Sequence, residues 1–391
     1  MEGGTPFLPQ EITTNILKRL SVRCLLRFQC VCKLWKNLIK SLSFVEAHLY
    51  HSSDQSPFLI CHGNHDVNGF SFYLLDCEKL IFKLDSTTMF GGDSIIGSSY
   101  GLLCYQRFFG LRFPAFLFLR NLATRETILV PKPIDNFKGD WFCDYGFGFS
   151  PIVNDYKIVK IHFSRLFLKV NGMEVYSLGS RSWKKVEFEN IPYMSKGVTA
   201  NGVVHWLISR AFTVNGVMFW LIRASADNGV IYWLIGAPEM IISFDLATFA
   251  LVFIPMPPLC SMSRSKLAVF ENKLAVLSLS STSVIELWVM EQYTGPLSKE
   301  NCNWTKKYTI GPFASSLNPV VIWRNEVVCL GAVKTELEAE NGPLRDLYLL
   351  NPTSGEYKTI TISKRVYNIF NFSESLVPLI GNHIEELDLN S

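Results

Sequence analysis

From about residue 50 onward the sequence repeats one plan, and that repetition limits the fold more than any other feature. An apolar strand follows a tight turn, a second strand ends in a D/N-x-x-T turn, and a third returns. SYGLLCYQ with FLFLRNLATRETILVPKP, NGVVHWLI with MIISFDLATFALVFIPMPP, ENKLAVLSL with VIELWVMEQY and NWTKKYTIG, and RNEVVCLGAV with RDLYLLNPTSGEYKTITIS share it. DYKIVKIHF with MEVYSLGSRSWKKVEFEN is a looser copy, and FLICH with FSFYLLDCEKLIFKLD is a candidate first one. Short aromatic and β-branched runs bounded by Gly, Asn, Asp, Ser and Pro read as strands. Asn121, Asp245 and Asn351 stand where an Asx side chain bonds the backbone two residues on, and Thr124, Thr248 and Thr353 close the turns.

Central turns fall near residues 76, 121, 179, 245, 292 and 351. One unit therefore takes roughly 45 to 65 residues, a period that points to a β-propeller of about six blades. The last apolar segment, YNIFNFSESLVPLI, lacks a following partner. Pairing it with the first unit would tie residues near 370 to those near 60 and protect two sheet edges. One stretch breaks the pattern. NGVVHWLI at Asn201, NGVMFWLI at Asn215 and NGVIYWLI at Asn228 are near copies at spacings of 14 and 13, too short for a blade. Two copies read as inserted, either as an extra hairpin or as rivals for one strand slot, which makes 201–235 the least regular part expected.

Residues 7–49 have another character. Pro9 and Glu11 suit a helix start. Ile12, Ile16, Leu17 and Leu20 recur at helical spacing, Ser21 caps a second helix carrying Leu25, Leu26 and Phe28, and Val31, Trp35, Leu38, Ile39 and Leu42 form the stripe of a third. Three short helices bury too little surface to be stable alone, so a disulfide, a metal or a partner is needed. A cap folded onto the rest of the chain would also explain the stripe.

The text LPQEITTNIL, LLRFQCVCKLW and NLI resembles the F-box, the module that docks substrate-recognition subunits on the Skp adaptor of a cullin-RING ubiquitin ligase. Ser21 departs from the proline usual there. The resemblance implies a helical F-box over 1–49, with Leu8, Pro9, Ile12, Ile16, Leu20, Leu25, Leu26, Val31, Cys32, Trp35, Leu38 and Ile39 as adaptor contacts. Later segments, including GLLCY, YGFGFSPIVNDYKIVKI, NGVVHWL, IISFDLAT, ELWVM and ESLV, resemble the F-box-associated domain of plant F-box and F-box/kelch-repeat proteins, the S-locus F-box group among them. That implies an all-β propeller-like domain over 50–391 presenting a protein substrate, with no cofactor and no catalytic residue. An F-box protein acting outside ubiquitin transfer and a propeller enzyme are the rival readings.

Composition agrees with a well-buried protein: 48% hydrophobic and 18% charged residues. MEGGTPF lacks the look of a secretory signal, no apolar run reaches the roughly 18 residues that span a bilayer, and ten cysteines are scattered without a CxxC pair. A soluble, reduced, intracellular protein is expected, cytoplasmic and open to the nucleus, with NWT at Asn303 and NFS at Asn371 unglycosylated. Net charge +3 is too weak and dispersed for nucleic acid. Seven Lys or Arg against three Glu leave residues 1–49 at +4, suited to an acidic adaptor, and the remainder at −1.

Candidate chemistry is thin. GSSYG fits a nucleophile elbow at Ser99, but an apolar strand follows where a helix is required, so Ser99 and Gly101 read as a turn. Cys61, His62, His65 and Asp66 are zinc-type donors without a second cluster. His205 reads as a core or edge residue, YGFGFSP lacks the third Gly of a dinucleotide site, and Lys184, Lys185, Lys306 and Lys307 read as solvated. Trp183, Trp206, Trp288, Trp304 and Trp323 recur at similar positions, which argues for packing between blades.

Overall fold

The computed structural model describes residues 9–53, 58–64, 69–76, 79–85, 94–107, 116–134, 141–164, 170–187, 212–214, 217–219, 225–227, 230–235, 240–258, 260, 265–271, 273–293, 302–313, 317–331, 346–360 and 366–379. Four helices come first: α1 (Gln10–Leu17), α2 (Val22–Phe28), α3 (Lys33–Lys40) and α4 (Leu42–Ser53). Three were expected. The third stops at Ser41, whose extended backbone (ψ 141°) ends α3, while its Oγ accepts from Phe44 N at 3.3 Å and starts a new helix. The apolar stripe read as one helix is thereby divided, and α4 runs past the expected boundary at 49.

Strands follow in chain order. β1 (Phe58–Asn64), β2 (Gly69–Asp76) and β3 (Lys79–Asp85) lie in one sheet. β4 (Ser94–Ser99), β5 (Leu102–Arg107), β6 (Phe116–Asn121) and β7 (Thr127–Leu129) make a second, and β8 (Trp141–Ser150), β9 (Asp155–Ser164), β10 (Val170–Ser177) and β11 (Ser182–Val186) a third. A small hairpin, β12 (Phe212–Val214) with β13 (Val217–Phe219), precedes the fourth, β14 (Ser225–Asp227), β15 (Val230–Ile235), β16 (Met240–Asp245) and β17 (Leu251–Pro255). β18 (Ser265–Phe270), β19 (Lys273–Leu279), β20 (Ile285–Tyr293) and β21 (Cys302–Ile310) make the fifth; β22 (Asn318–Trp323), β23 (Glu326–Leu330), β24 (Leu347–Leu350) and β25 (Tyr357–Ile360) the sixth. β26 (Val366–Asn371) returns to pair with β1, Phe58 opposite Asn371 and Ile60 opposite Ile369. The closure expected between residues near 60 and 370 is thus present.

Among the described residues six sheets have four strands, and their first strands pack in a closed circle: β4 on β8, β8 on β14, β14 on β18, β18 on β22, β22 on β26, and β26 on β4. This is an all-β propeller. Its core lies between sheets, as in the cluster of Leu102, Cys104, Leu119, Phe147, Ile158 and Tyr176 joining the second to the third. Two tryptophans fasten neighbours in one way. Trp183 of β11 donates from Nε1 to Pro131 O at 2.7 Å, and Trp304 of β21 donates to Pro255 O at 2.9 Å. Trp183, Trp288 and Trp323 are buried; Trp206 lies outside the described residues.

The D/N-x-x-T turns are as expected. Asn121 Oδ1 accepts from Ala123 N and Thr124 N at 2.9 and 3.2 Å, Asp245 Oδ1 from Ala247 N and Thr248 N at 2.8 and 2.7 Å, and Asn351 Oδ1 from Thr353 N and Ser354 N at 2.9 and 3.1 Å. Four residues after Asn121, Asp245 and Asn351, Arg125, Phe249 and Gly355 have positive φ, and Arg181 does so four after Ser177. Of the near copies, the third supplies β15 in a four-stranded sheet and the second supplies β13 in the separate hairpin. An extra hairpin is therefore what the second copy builds; the first lies outside the described residues.

Because the chain alternates direction through each sheet, turns joining first to second and third to fourth strands share one end of the propeller. Among the described residues that end carries 100–101, 122–126, 151–154, 178–181, 246–250, 324–325 and 351–356. Among the described residues the opposite end takes 130–134 and 280–284.

Gly101 sets a tight contact at the helical end. It has φ +81°, and a Cβ there would lie 2.1 Å from Ser375 Cβ. Gly101→Ala is expected to lower stability by about 3 kcal/mol in urea unfolding, strain and overpacking combined. Arg181→Gly, which relieves an exposed left-handed residue at φ 51°, is expected to raise stability by up to about 1 kcal/mol.

Candidate functional site

The helices sit on the tight-turn end. Their inner faces form one cluster, Leu17, Val22, Leu25, Ile39, Phe44 and Val45, completed by Leu376 and flanked by Ala123 and Val377 from the propeller side. Local chemistry sets each helix start. Pro9 O accepts from Thr13 N at 3.1 Å, Ser21 Oγ from Cys24 N at 3.4 Å, and Cys32 Sγ from Trp35 N at 3.4 Å. Ser21 caps α2, so the departure from proline has a structural use. His48, buried in α4 beside Phe44, donates from Nε2 to Leu20 O at 2.9 Å. Burial lowers its pKa, His51 adding to that and the Leu20 bond opposing it.

A segment beyond β26 holds the helices to the sheets. Asn121 Nδ2 donates to Ser375 O and Val377 O, both at 2.9 Å, and Leu379 N donates to Glu126 Oε2 at 2.9 Å. On the other side Val22 N, an orphan donor of the first turn of α2, donates to Glu374 Oε2 at 3.1 Å. Asn154 Nδ2 of the β8–β9 turn donates to Glu46 Oε1 of α4 at 2.5 Å.

The twelve expected contact residues divide. Ile12 (45% exposed), Ile16 (50%) and Val31 (62%) point to solvent, and Cys32 and Pro9 are exposed with them. Leu20, Leu26, Trp35 and Leu38 are half-buried against the helical core. Leu25 and Ile39 are fully buried in the helical core, where they pack the helices together. The reason is geometric: an i, i+3, i+4 stripe first serves to pack helices on one another. Leu8 lies outside the described residues. Leu34, outside the expected set, is also 52% exposed, an apolar side chain between Lys33 and Lys36.

The GSSYG segment joins two strands. Ser99 Oγ accepts from Phe149 N at 3.0 Å, and β5 follows the Tyr100–Gly101 turn. Cys61 and His62 lie in β1; His65, Asp66 and His205 are outside the described residues. No three His, Cys, Asp or Glu side chains come together for a metal among the described residues, and no helix there is long and apolar enough to cross a membrane. Lys306 and Lys307 are paired rather than merely solvated, with Glu286 at 2.7 Å and Glu291 at 2.5 Å. Lys273 and Lys307 hold the Glu291 carboxyl down at about 2. Glu174 of the third sheet, 1% exposed, is the most deeply buried carboxylate among the described residues and meets His162 Nε2 at 3.0 Å and Lys160 Nζ at 3.6 Å.

Two comparisons bear on this arrangement. Residues 7–46 match the F-box domain, and residues 58–336 match the F-box associated beta propeller domain. The chain belongs to this F-box family. Among its relatives in Arabidopsis thaliana, the putative F-box protein At5g52610 is 28% identical over 73% of this chain and 74% of its own length. F-box protein At3g07870 is 24% identical over 92% of this chain and 88% of its own length. Among solved structures, a chain of the Nidogen/Laminin complex aligns over 81% of this one and 97% of itself, with TM-score 0.43 and 9% identity.

Glu374 yields a pH prediction. Burial raises its pKa, with the Val22 bond and Arg23 pulling the other way. An acid whose pKa is higher folded than unfolded stabilises the fold less when ionised, so stability falls as pH rises through the ordinary glutamate value towards the raised one. His48 acts oppositely below its ordinary value. Comparing wild type with Glu374→Gln in urea unfolding from pH 4 to 8 should isolate the carboxylate, the variant losing less stability as pH rises.

Proposed function

We propose that this F-box protein is a substrate-recognition subunit of a Skp–cullin–F-box ubiquitin ligase. The reading rests on one observation above the rest: the helical module keeps the apolar side chains of Ile12, Ile16, Val31 and Leu34 in solvent while Leu17, Leu25 and Ile39 are already packed in its core. Apolar side chains clustered around a small helical module are what an interface core uses, and the surrounding Lys18, Arg19, Lys33 and Lys36 suit an acidic Skp-type adaptor. The end of the propeller away from the helices is left uncovered by them and is the natural surface for a protein substrate. Transfer is then a matter of position. Holding a substrate lysine near the ubiquitin-loaded enzyme raises its effective concentration, and no side chain of this chain touches the bond formed. The place of action is the cytoplasm, with the nucleus open to it.

Ile12→Asp combined with Ile16→Asp should leave unfolding unchanged within about 1 kcal/mol, since both side chains are half exposed. Affinity for a Skp-type adaptor, measured by titration calorimetry, should fall by about 2–4 kcal/mol. Unaltered affinity in the folded double variant contradicts the docking face. Leu25→Ala is the contrast, expected to cost about 2–5 kcal/mol of stability through a cavity in the helical core.

A further inference from the structure

The segment 372–379 touches three parts of the molecule that are remote in sequence. Its root is β26, which closes the ring on β1. One side is fixed to the second sheet by Asn121 and Glu126, and Ser375 fills the space left by Gly101. The other side finishes the helices: Leu376 belongs to their core, and Glu374 takes the Val22 N–H that Ser21, occupied with Cys24, leaves over. The helical module is made of residues 10–53, yet its core and the start of α2 are completed by residues more than three hundred positions later. Those residues follow directly on β26, which is paired with β1.

We infer that closure of the propeller ring gates the docking module: the apolar face is presented in its binding geometry only while β26 is paired with β1 and the 372–379 strap lies across the helices. A chain whose last strand is missing or unpaired exposes helices with an incomplete core, and adaptor affinity falls with it. Coupling of this kind is reciprocal, so adaptor binding in turn favours the closed ring. The adaptor arm rests on the proposed function; the folding arm does not.

Hydrogen exchange by mass spectrometry on the full chain separates the two. Leu376→Ala should raise exchange of α1–α4 amides by about tenfold or more while β19 is unchanged, because local opening follows local packing. Ile369→Ala, buried in β26 and away from the helical cluster, should loosen the same helices through the strap, and both variants should bind a Skp-type adaptor about tenfold more weakly. Helices that keep wild-type protection in both variants overturn the inference, as does adaptor affinity that stays constant while the helices loosen. If the wild-type chain binds no adaptor, the proposed function falls, and the exchange data alone decide whether the strap couples ring to helices.

Discussion

The pairing of β26 with β1 is the constraint on which the rest depends. It joins the sixth sheet to the first and removes what would otherwise be exposed edges. It also aims the following residues at the helices. A ring of sheets without it would be an open array, and a module of four short helices without Leu376 and Glu374 would lack both a core residue and a partner for the start of α2. The two domains named by sequence resemblance are therefore one mechanical object at their junction.

Within the ring, stability is divided among small repeated devices. An Asx side chain closes the third turn in three sheets, a left-handed residue occupies that turn in four, and a tryptophan–proline bond fastens two pairs of neighbours. Only one of the four left-handed positions, Gly355, holds the residue that adopts that conformation without strain. Arg125, Arg181 and Phe249 hold it because the strands on either side fix the turn. Phe249 gains from it as well, stacking on Phe244 beneath the ammonium groups of Lys157 and Lys184.

Much of this could be read in the sequence, and the limits have physical causes. Turn residues at Asn121, Asp245 and Asn351 are local, so spacing and residue type were enough. Ring closure was legible because YNIFNFSESLVPLI was an apolar strand without a successor. The break at Ser41 was not, since helical periodicity in apolar residues continues across it while one serine redirects the chain. The split of the apolar stripe was hidden for a similar reason: Leu25 and Ile16 look alike in a list of apolar positions, and only the packing of α2 against Leu376 makes one core and the other surface. Glu374 could not have been found at all, because its partner is a backbone N–H 352 residues away.

The outer face of the helices is where the account meets function, and Cys32 offers a direct probe of it. Its thiol is exposed beside Val31, and Cys143, exposed on the third sheet, serves as an internal reference. The rate of iodoacetamide labelling at both, read by mass spectrometry with and without a Skp-type adaptor, tests whether that face is the one covered. The account predicts that the adaptor protects Cys32 and leaves Cys143 reacting as before. Formation of the complex with Cys32 still labelled at its free rate would contradict it.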